Sequence, residues 1–207
     1  MHTDLAIIGA GGHSKVIADV LTRNGIDSFF IFDSSPNKTG SVIQGESVLL
    51  LDDTVQFKEY HISIGNNQVR HDIYNKYKYH AKFTSIISKQ AYISHTAKVG
   101  EGTFIAAKSV VSSDSYVGVG CIVNHGAIIE HDCEVGVFSH IAPNATLLGG
   151  VILGERVFVG AGATILPGVR IVDDVIIGAG AVVLSDIIQR STVVGAPAKR
   201  IKDGNEY

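Results

Sequence analysis

An aliphatic residue recurs every six positions at Ile87, Ile93, Val99, Ile105, Val111, Val117, Val123, Ile129, Val135, Ile141, Leu147, Leu153, Val159, Ile165, Ile171, Ile177 and Val183. Residues 87–185 hold 33 Ile, Leu or Val in 99 positions, so chance would fill all seventeen positions of one phase on the order of once in 10⁸. A second phase, four residues after each aliphatic, is small or β-branched throughout, from Ala91, Ala97 and Thr103 to Val175, Ala181 and Ile187. A period of six matches neither a helical face nor a flat strand. It fits short strands joined by tight turns, each coil stacked on the last. Three hexapeptides make one triangular coil, which predicts between five and six coils and a prism about 27 Å long.

Glycine follows the aliphatic at Gly100, Gly118, Gly136, Gly154, Gly160 and Gly178, where positive φ or close backbone approach makes a missing Cβ useful. The chain carries 23 Gly in 207 residues, and 14 of them fall in the repeat window. With 45% apolar and 18% charged residues, disorder is excluded. A net charge of −3 offers no footprint for nucleic acid or an anionic membrane surface. Without an apolar run near ~18 residues or a signal-like start, no membrane insertion is expected and the expected location is cytoplasmic. Cys121 and Cys133 both occupy the small inward phase, where a thiol is inert, so direct transfer is preferred over a cysteine nucleophile.

The first eighty residues read differently. Leu5-Ala6-Ile7-Ile8 is a buried strand, Gly9 to Ser14 a glycine turn, and Lys15 to Asn24 a helix with Val16, Ile17, Val20 and Leu21 on one stripe. Phe29 to Asp33 is a second strand ending in an acid. This is a βαβ unit of nucleotide-binding style, although GxGxxG lacks its third glycine at Ser14. A helix N-terminus receiving one phosphate fits better than a dinucleotide pocket; the plain alternative is a turn that merely packs the helix. His61 to Asn67 reads as another strand running into a polar turn, and Gln68 to Tyr79 as a helix. The rule that ligands bind at the carboxyl ends of parallel strands puts Gly11, Gly12, His13, Asp33, Gly65, Asn66 and Asn67 on one rim. The expected division is an α/β Rossmann-like domain over residues 1–82 and an all-β hexapeptide domain with a C-terminal tail over 83–207.

Among nine histidines, His131 alone has carboxylates on both sides, Glu130 and Asp132. An adjacent carboxylate orients imidazole and raises its basicity, as removal of a proton from an attacking amine or hydroxyl requires. A solvated, charged turn is the competing reading. His95 and His125 sit at outward turns, and His140 lies half a coil beyond His131.

The array, the Gly11-Gly12-His13 turn, Ile64-Gly65-Asn66-Asn67 with Arg70, Ile129-Glu130-His131-Asp132-Cys133, Phe138-Ser139-His140 and the terminal Val194-Gly195-Ala196-Pro197-Ala198-Lys199 together carry a resemblance. The chain resembles, end to end, the bacterial hexapeptide-repeat family that includes the UDP-4-amino-sugar N-acetyltransferase of bacillosamine synthesis and sialic acid O-acetyltransferases. The resemblance implies a left-handed parallel β-helix and acetyl-CoA as co-substrate, with no metal. It makes His131 the general base, Asp132 its orienting partner and Glu130 their neighbour. His140 would reach the thioester end of acetyl-CoA, and backbone at Gly149, Ala161 and Ala179 would line the coenzyme groove between two subunits. The sugar nucleotide would hang from Gly11, His13, Asp33 and Asn66, with Asn124 near the sugar.

Apolar residues at outer positions, Val119, Phe138, Leu148, Ala161, Leu166 and Ala179, would be wet on a lone prism, which favours a homotrimer with three grooves. The expected activity is acetyl transfer to the amine of a nucleotide-linked 4-amino-4,6-dideoxyhexose for surface polysaccharide or glycan synthesis, with a backbone N–H stabilising the oxyanion. Histidine serves a hydroxyl equally well, so O-acetylation of a sialic acid is the alternative. A non-catalytic nucleotide-sugar sensor is the alternative from another class. A zinc hydrolase would need His125, His131 and His140 to converge on one metal.

Overall fold

A computed structural model describes residues 2–201. The chain divides into two compact units, Met1–Lys89 and Gln90–Tyr207.

In the first unit, strands β1 (His2–Ile8), β2 (Phe30–Asp33), β3 (Val42–Ile43), β4 (Glu46–Leu50), β5 (Gln56–Ile62) and β6 (Lys82–Phe83) form one sheet in the order β3-β4-β2-β1-β5-β6. Only the β3–β4 pair is antiparallel. Gln44 and Gly45 turn that hairpin, both at positive φ, the two-residue turn whose twist matches its strands. Helix α1 (Gly12–Asn24) buries Ser14, Ile17, Ala18, Val20 and Leu21 and ends on Gly25 at φ 80°. The buried stripe is thus rotated from the expected one, with Ser14 inside and Val16 only half-buried. Helix α2 (Asn67–Tyr77) packs Tyr74 and Tyr77 on Phe83 and Phe57 at ring-centroid distances of 5.2 Å each. Because β1 pairs with β2 on one side and β5 on the other, the loops after Ile8, Phe32 and Ile62 open on the same edge. Parallel α/β sheets bind their ligands at such a reversal of strand order.

The second unit is a left-handed parallel β-helix built from hexapeptide repeats. Up to Val183 its strands are two residues long and pair in parallel at an offset of 18, as in Val110↔Ile128 and Ile128↔Thr146; the last, Thr192–Val194, pairs with Ile176–Ile177 in parallel and with Lys199–Arg200 antiparallel. One face stacks six strands, from Tyr92–Ile93 to Val182–Val183, and a second stacks five. The first residue of each pair points out and the second in. Both predicted phases form the core, for example Ile129, Ile141, Val159, Ala145 and Val157, all at 0% exposure, except at the start of the array, where Ile87 is exposed and Ile86 is buried in its place. Burial of each such Val, Leu or Ile contributes about 1.5–3 kcal/mol.

The inward phase admits small polar residues because each finds a carbonyl, for Thr103, Ser115 and Ser139 in the following coil and for Ser109 at Ala106 in its own. Ser115 donates to Glu130 O at 2.7 Å and Ser139 to Gly154 O at 3.1 Å. Cys121 and Cys133 do the same to Gly136 O and Leu148 O, and burial raises the Cys133 thiol pKa. Both thiols are buried and spent on carbonyls, so neither is placed as a nucleophile.

Of the two reasons for glycine after the aliphatic, close approach is the operative one. A Cβ at Gly160 would lie 2.5 Å from the backbone of Ala179 in the next coil. The positive-φ corner comes two residues later, at positions divisible by six, where Gly102, Gly120 and Gly126 alternate with Asp132, Phe138 and Asn144. Corner residues from Gly120 to Gly180 donate their N–H to a carbonyl of the coil below, as Asp132 does to Ser113 O and Gly150 to His131 O.

One expected outer-face residue is in fact inside. The Phe138 ring lies against Gly120, one coil below, and Phe138 is 2% exposed. Wet apolar side chains are found instead at Tyr92, Tyr116, Ile176, Leu184 and Ile188.

Candidate active site

Residues 130–132 form a corner between the strands Ile128–Ile129 and Glu134–Val135. Asp132 occupies the left-handed position at φ 59°, a conformation that Asp tolerates. That bend turns its carboxylate back on its neighbour: His131 Nδ1 lies 2.8 Å from Asp132 Oδ2. The carboxylate oxygen only accepts, so Nδ1 donates and the Nε2 lone pair is left for a substrate proton. The hydrogen bond to Asp132 raises the His131 pKa above the usual histidine value, and the charge of Glu130 adds to it. Both side chains of the pair are about two-thirds exposed, so the pair is open to a substrate.

Gly149, expected as backbone along a coenzyme groove, stacks one coil beyond His131. A Cβ there would fall 2.6 Å from His131 Cε1 and 2.7 Å from Nε2. The imidazole therefore lies in the space that the glycine leaves. Ala161 and Ala179 stand on a different corner, the one that carries His125, linked by Asn144 N to His125 O, Gly162 N to Pro143 O and Gly180 N to Ala161 O. Both alanines are exposed.

His140 points outward from the strand His140–Ile141 but is 9% exposed, with the Phe158 ring edge-on at 5.2 Å and 85°. Its Nε2 is 3.2 Å from Asn124 Nδ2. Among the described residues no three His, Cys, Asp or Glu side chains group as a metal site.

The structure brings the expected rim of the first unit together. Gly9 (φ 110°) leaves β1 where a Cβ would be 2.6 Å from Ile64 Cγ1. Gly11 and Gly12 start α1 with nothing within 4 Å of their Cβ positions, so the space beside the helix N-terminus, the end that favours an anion, is open there. Asp33 is buried and takes the Ala10 N–H at 2.8 Å, the Ser35 N–H at 2.9 Å and Lys38 Nζ at 2.9 Å. Burial works against its charge, yet the hydrogen bonds from Lys38, Ala10 and Ser35 hold its pKa below the ordinary value. Asn66 caps α2 by accepting the Val69 N–H at 3.0 Å. Arg70, 1% exposed, holds the turn before it by donating to Ile64 O, Gly65 O and Asn67 Oδ1. His13 is half-buried at the start of α1.

Two contributors escaped the sequence reading. Lys38 gives no periodic signal, and its pairing with Asp33 depends on the turn Pro36–Lys38. The bed under His131 was findable, because 131 plus one coil of 18 is 149.

A corner histidine backed by a carboxylate, on a hexapeptide β-helix that follows an α/β unit, defines an acyltransferase of the hexapeptide class. The family description "PglD N-terminal domain" matches residues 4–77, and "Bacterial transferase hexapeptide (six repeats)" matches residues 150–185. A histidine-to-asparagine variant of perosamine N-acetyltransferase from Caulobacter crescentus, solved with CoA and GDP-perosamine, is 33% identical. The match covers 97% of each chain with a TM-score of 0.90. The acetyltransferase domain of PglB from Neisseria gonorrhoeae, in complex with acetyl coenzyme A, is 34% identical over 97% of this chain and 100% of that one, with a TM-score of 0.88. The uncharacterized protein L142 of Acanthamoeba polyphaga mimivirus is 34% identical over 106 residues, half of this chain; the chain spans about a fifth (21%) of that relative's length. The chain belongs to the hexapeptide-repeat family of CoA-dependent sugar N-acetyltransferases.

Proposed function

We propose that this chain transfers the acetyl group of acetyl-CoA to the amine of a nucleotide-linked amino sugar of the 4-amino-4,6-dideoxyhexose type. The observation that carries the reading is the 2.8 Å contact between His131 Nδ1 and Asp132, which leaves Nε2 of an exposed ring as a base. The neutral amine attacks the thioester carbonyl carbon, forming the C–N bond as the carbonyl electron pair moves to oxygen. His131 Nε2 takes the amine proton. Collapse of the tetrahedral species breaks the C–S bond, and the imidazolium returns a proton to the departing sulfur. A positioned base contributes about 10²–10⁴ in rate.

The rim of the first unit takes the nucleotide. The N-terminus of α1, with open space beside Gly11 and Gly12, suits a phosphate, and Lys38 beside Asp33 adds a cation to the same edge. That the Caulobacter relative was solved with GDP-perosamine supports this reading.

The corners support a homotrimer. Gly149 lies on one corner of the prism and Ala161 and Ala179 on another, separated by the width of a face. One groove lined by both forms when the first corner of one copy meets the second corner of the next, and a closed ring of three repeats the groove three times. Such a ring also covers apolar side chains that are exposed on one chain, such as Tyr92 and Ile176. No helix among the described residues is long and apolar enough to cross a membrane. Use of acetyl-CoA and a nucleotide sugar supports a cytoplasmic reaction that feeds surface polysaccharide or glycan assembly.

The test is acetyl-CoA consumption against UDP-, dTDP- and GDP-linked 4-amino-4,6-dideoxy sugars and a sialic acid. Turnover with one of the amino sugars is expected. Turnover with the sialic acid alone makes the chain an O-acetyltransferase; nucleotide-sugar binding with no transfer makes it a sensor.

A further inference from the structure

The corner that carries His131 has unlike neighbours along the prism. One and two coils above it stand Leu148-Gly149-Gly150 and Leu166-Pro167-Gly168, whose side chains offer no hydrogen-bonding group. One and two coils below it stand Ser112-Ser113-Asp114 and Ser94-His95-Thr96. The imidazole leans to the bare side, with Cε1 and Nε2 over Gly149. The coenzyme groove of the reading above extends the same way, since Gly149, Ala161 and Ala179 all lie in later coils than His131.

On the lower side the hydroxyls are tied to one another. Ser113 Oγ lies 3.2 Å from Ser94 Oγ, and Ser94, 5% exposed, lies 3.3 Å from Thr96 Oγ1. Thr96 Oγ1 in turn accepts the Asp114 N–H at 3.0 Å. Ser113 is the exposed end of this relay, and buried Ser94 steadies it. A hydroxyl has one proton and two lone pairs, so whichever way the proton between Ser113 and Ser94 runs, Ser113 Oγ keeps a lone pair for a ligand. The backbone of Ser113 has a separate task. Its carbonyl accepts the N–H of Asp132, the partner of His131, at 3.1 Å.

We propose that Ser113 is a specificity-determining residue: its Oγ accepts a hydrogen bond from the acceptor-sugar hydroxyl that neighbours the reacting amine, and so aims that amine at His131 Nε2. The proposal deepens the acetyl-transfer reading above and rests on it. The thioester arrives over Gly149, and the side of the hydroxyls is left to the sugar. In a 4-amino-4,6-dideoxyhexose the hydroxyl beside the amine is the one on carbon 3, because carbon 5 on the other side bears a methyl group. The reach agrees. Adjacent coils are about 4.8 Å apart, and the lean of the imidazole widens the gap to Ser113. Two hydrogen bonds of about 2.8 Å, with two neighbouring sugar carbons between them, span more than one such spacing.

The test compares acetyl transfer to an accepted nucleotide-linked 4-amino-4,6-dideoxy sugar and to its 3-deoxy analogue, in the wild type and in Ser113→Ala. For the wild type, loss of the hydroxyl is expected to lower kcat/KM about 10-fold, as for one lost hydrogen bond. Ser113→Ala should lose the same factor with the hydroxylated sugar and should no longer tell the two sugars apart. Its pH midpoint should stay at the wild-type value, because the carbonyl that holds Asp132 is kept. Ser94→Ala removes only the support of Ser113, and its preference should fall between the two. A wild type that treats both sugars alike overturns the proposal. So does a Ser113→Ala chain that keeps the wild-type preference. Absence of transfer to every amino sugar overturns it together with the reading it rests on, whereas transfer that ignores the hydroxyl overturns this proposal alone.

Discussion

The imidazole of His131 lies over Gly149, with Nε2 2.7 Å from the place where a Cβ at that residue would be. Gly149 is not among the residues at positive φ, so alanine is tolerated by the backbone there and clashes only with the ring. Gly149→Ala is expected to push His131 off its bed and lower kcat by about 10-fold or more, within the range a positioned base supplies. Melting temperature should be nearly unchanged. Steady-state kinetics beside a thermal melt checks this; unchanged kcat would show that the ring's position over the glycine is immaterial.

His131 titrates above the ordinary histidine value because its proton-bearing form is held by Asp132. A general base works deprotonated, so kcat/KM should fall on the acidic side of a pH profile, with a midpoint set by this raised pKa. Asp132→Asn removes the charge but keeps an acceptor, so the limb should move to lower pH and the plateau should drop about ten-fold as the base weakens. His131→Ala should lose about 10²–10⁴ in kcat. A pH profile that does not move in Asp132→Asn would assign the limb to another group.

The repeat was legible because its period is an integer: every inward residue announces itself six positions from the last, and 18-residue register follows. Conformation at the corners was hidden. Half of the positive-φ corner residues are not glycine, and Lys108, Phe138 and Arg156 have no chemical preference for that region. Phe138 looked wet because what covers it, Gly120, is a coil away in sequence. The same holds for the site. His131 and Asp132 are adjacent and could be paired on sight, whereas Asn124 and His140 are 16 apart and meet only through the coil. In the first unit the β3–β4 hairpin went unread, since Gln44-Gly45 is a weak turn signal beside Asn-Gly or Asp-Gly.

Asp33 ties three donors on one edge of the first unit: Ala10 N, Ser35 N and Lys38 Nζ. Asp33→Asn keeps the shape but turns one accepting oxygen into a donor facing N–H groups. The rim should loosen, and KM for the nucleotide sugar should rise about ten-fold while kcat at saturation changes less. Competition by the free nucleotide diphosphate should weaken in parallel. Unchanged KM with an intact fold would remove the rim from substrate binding.

His61 is 1% exposed within the first unit and donates from Nδ1 to Thr84 O at 2.9 Å. Burial is the main cause that lowers its pKa from 6.5 to about 4. The folded state therefore holds the neutral ring while the unfolded chain takes up a proton below 6.5. Stability from this group is complete above the unfolded pKa and is lost as pH falls toward the folded one, reaching about 2 kcal/mol by pH 5. His61→Asn keeps a donor in the Nδ1 position and does not titrate. Urea unfolding at pH 7.5 and pH 5 should show the wild type losing more stability than the variant by about that amount. Equal losses would mean that His61 is protonated in the folded chain, or that another group dominates acid unfolding of the first unit.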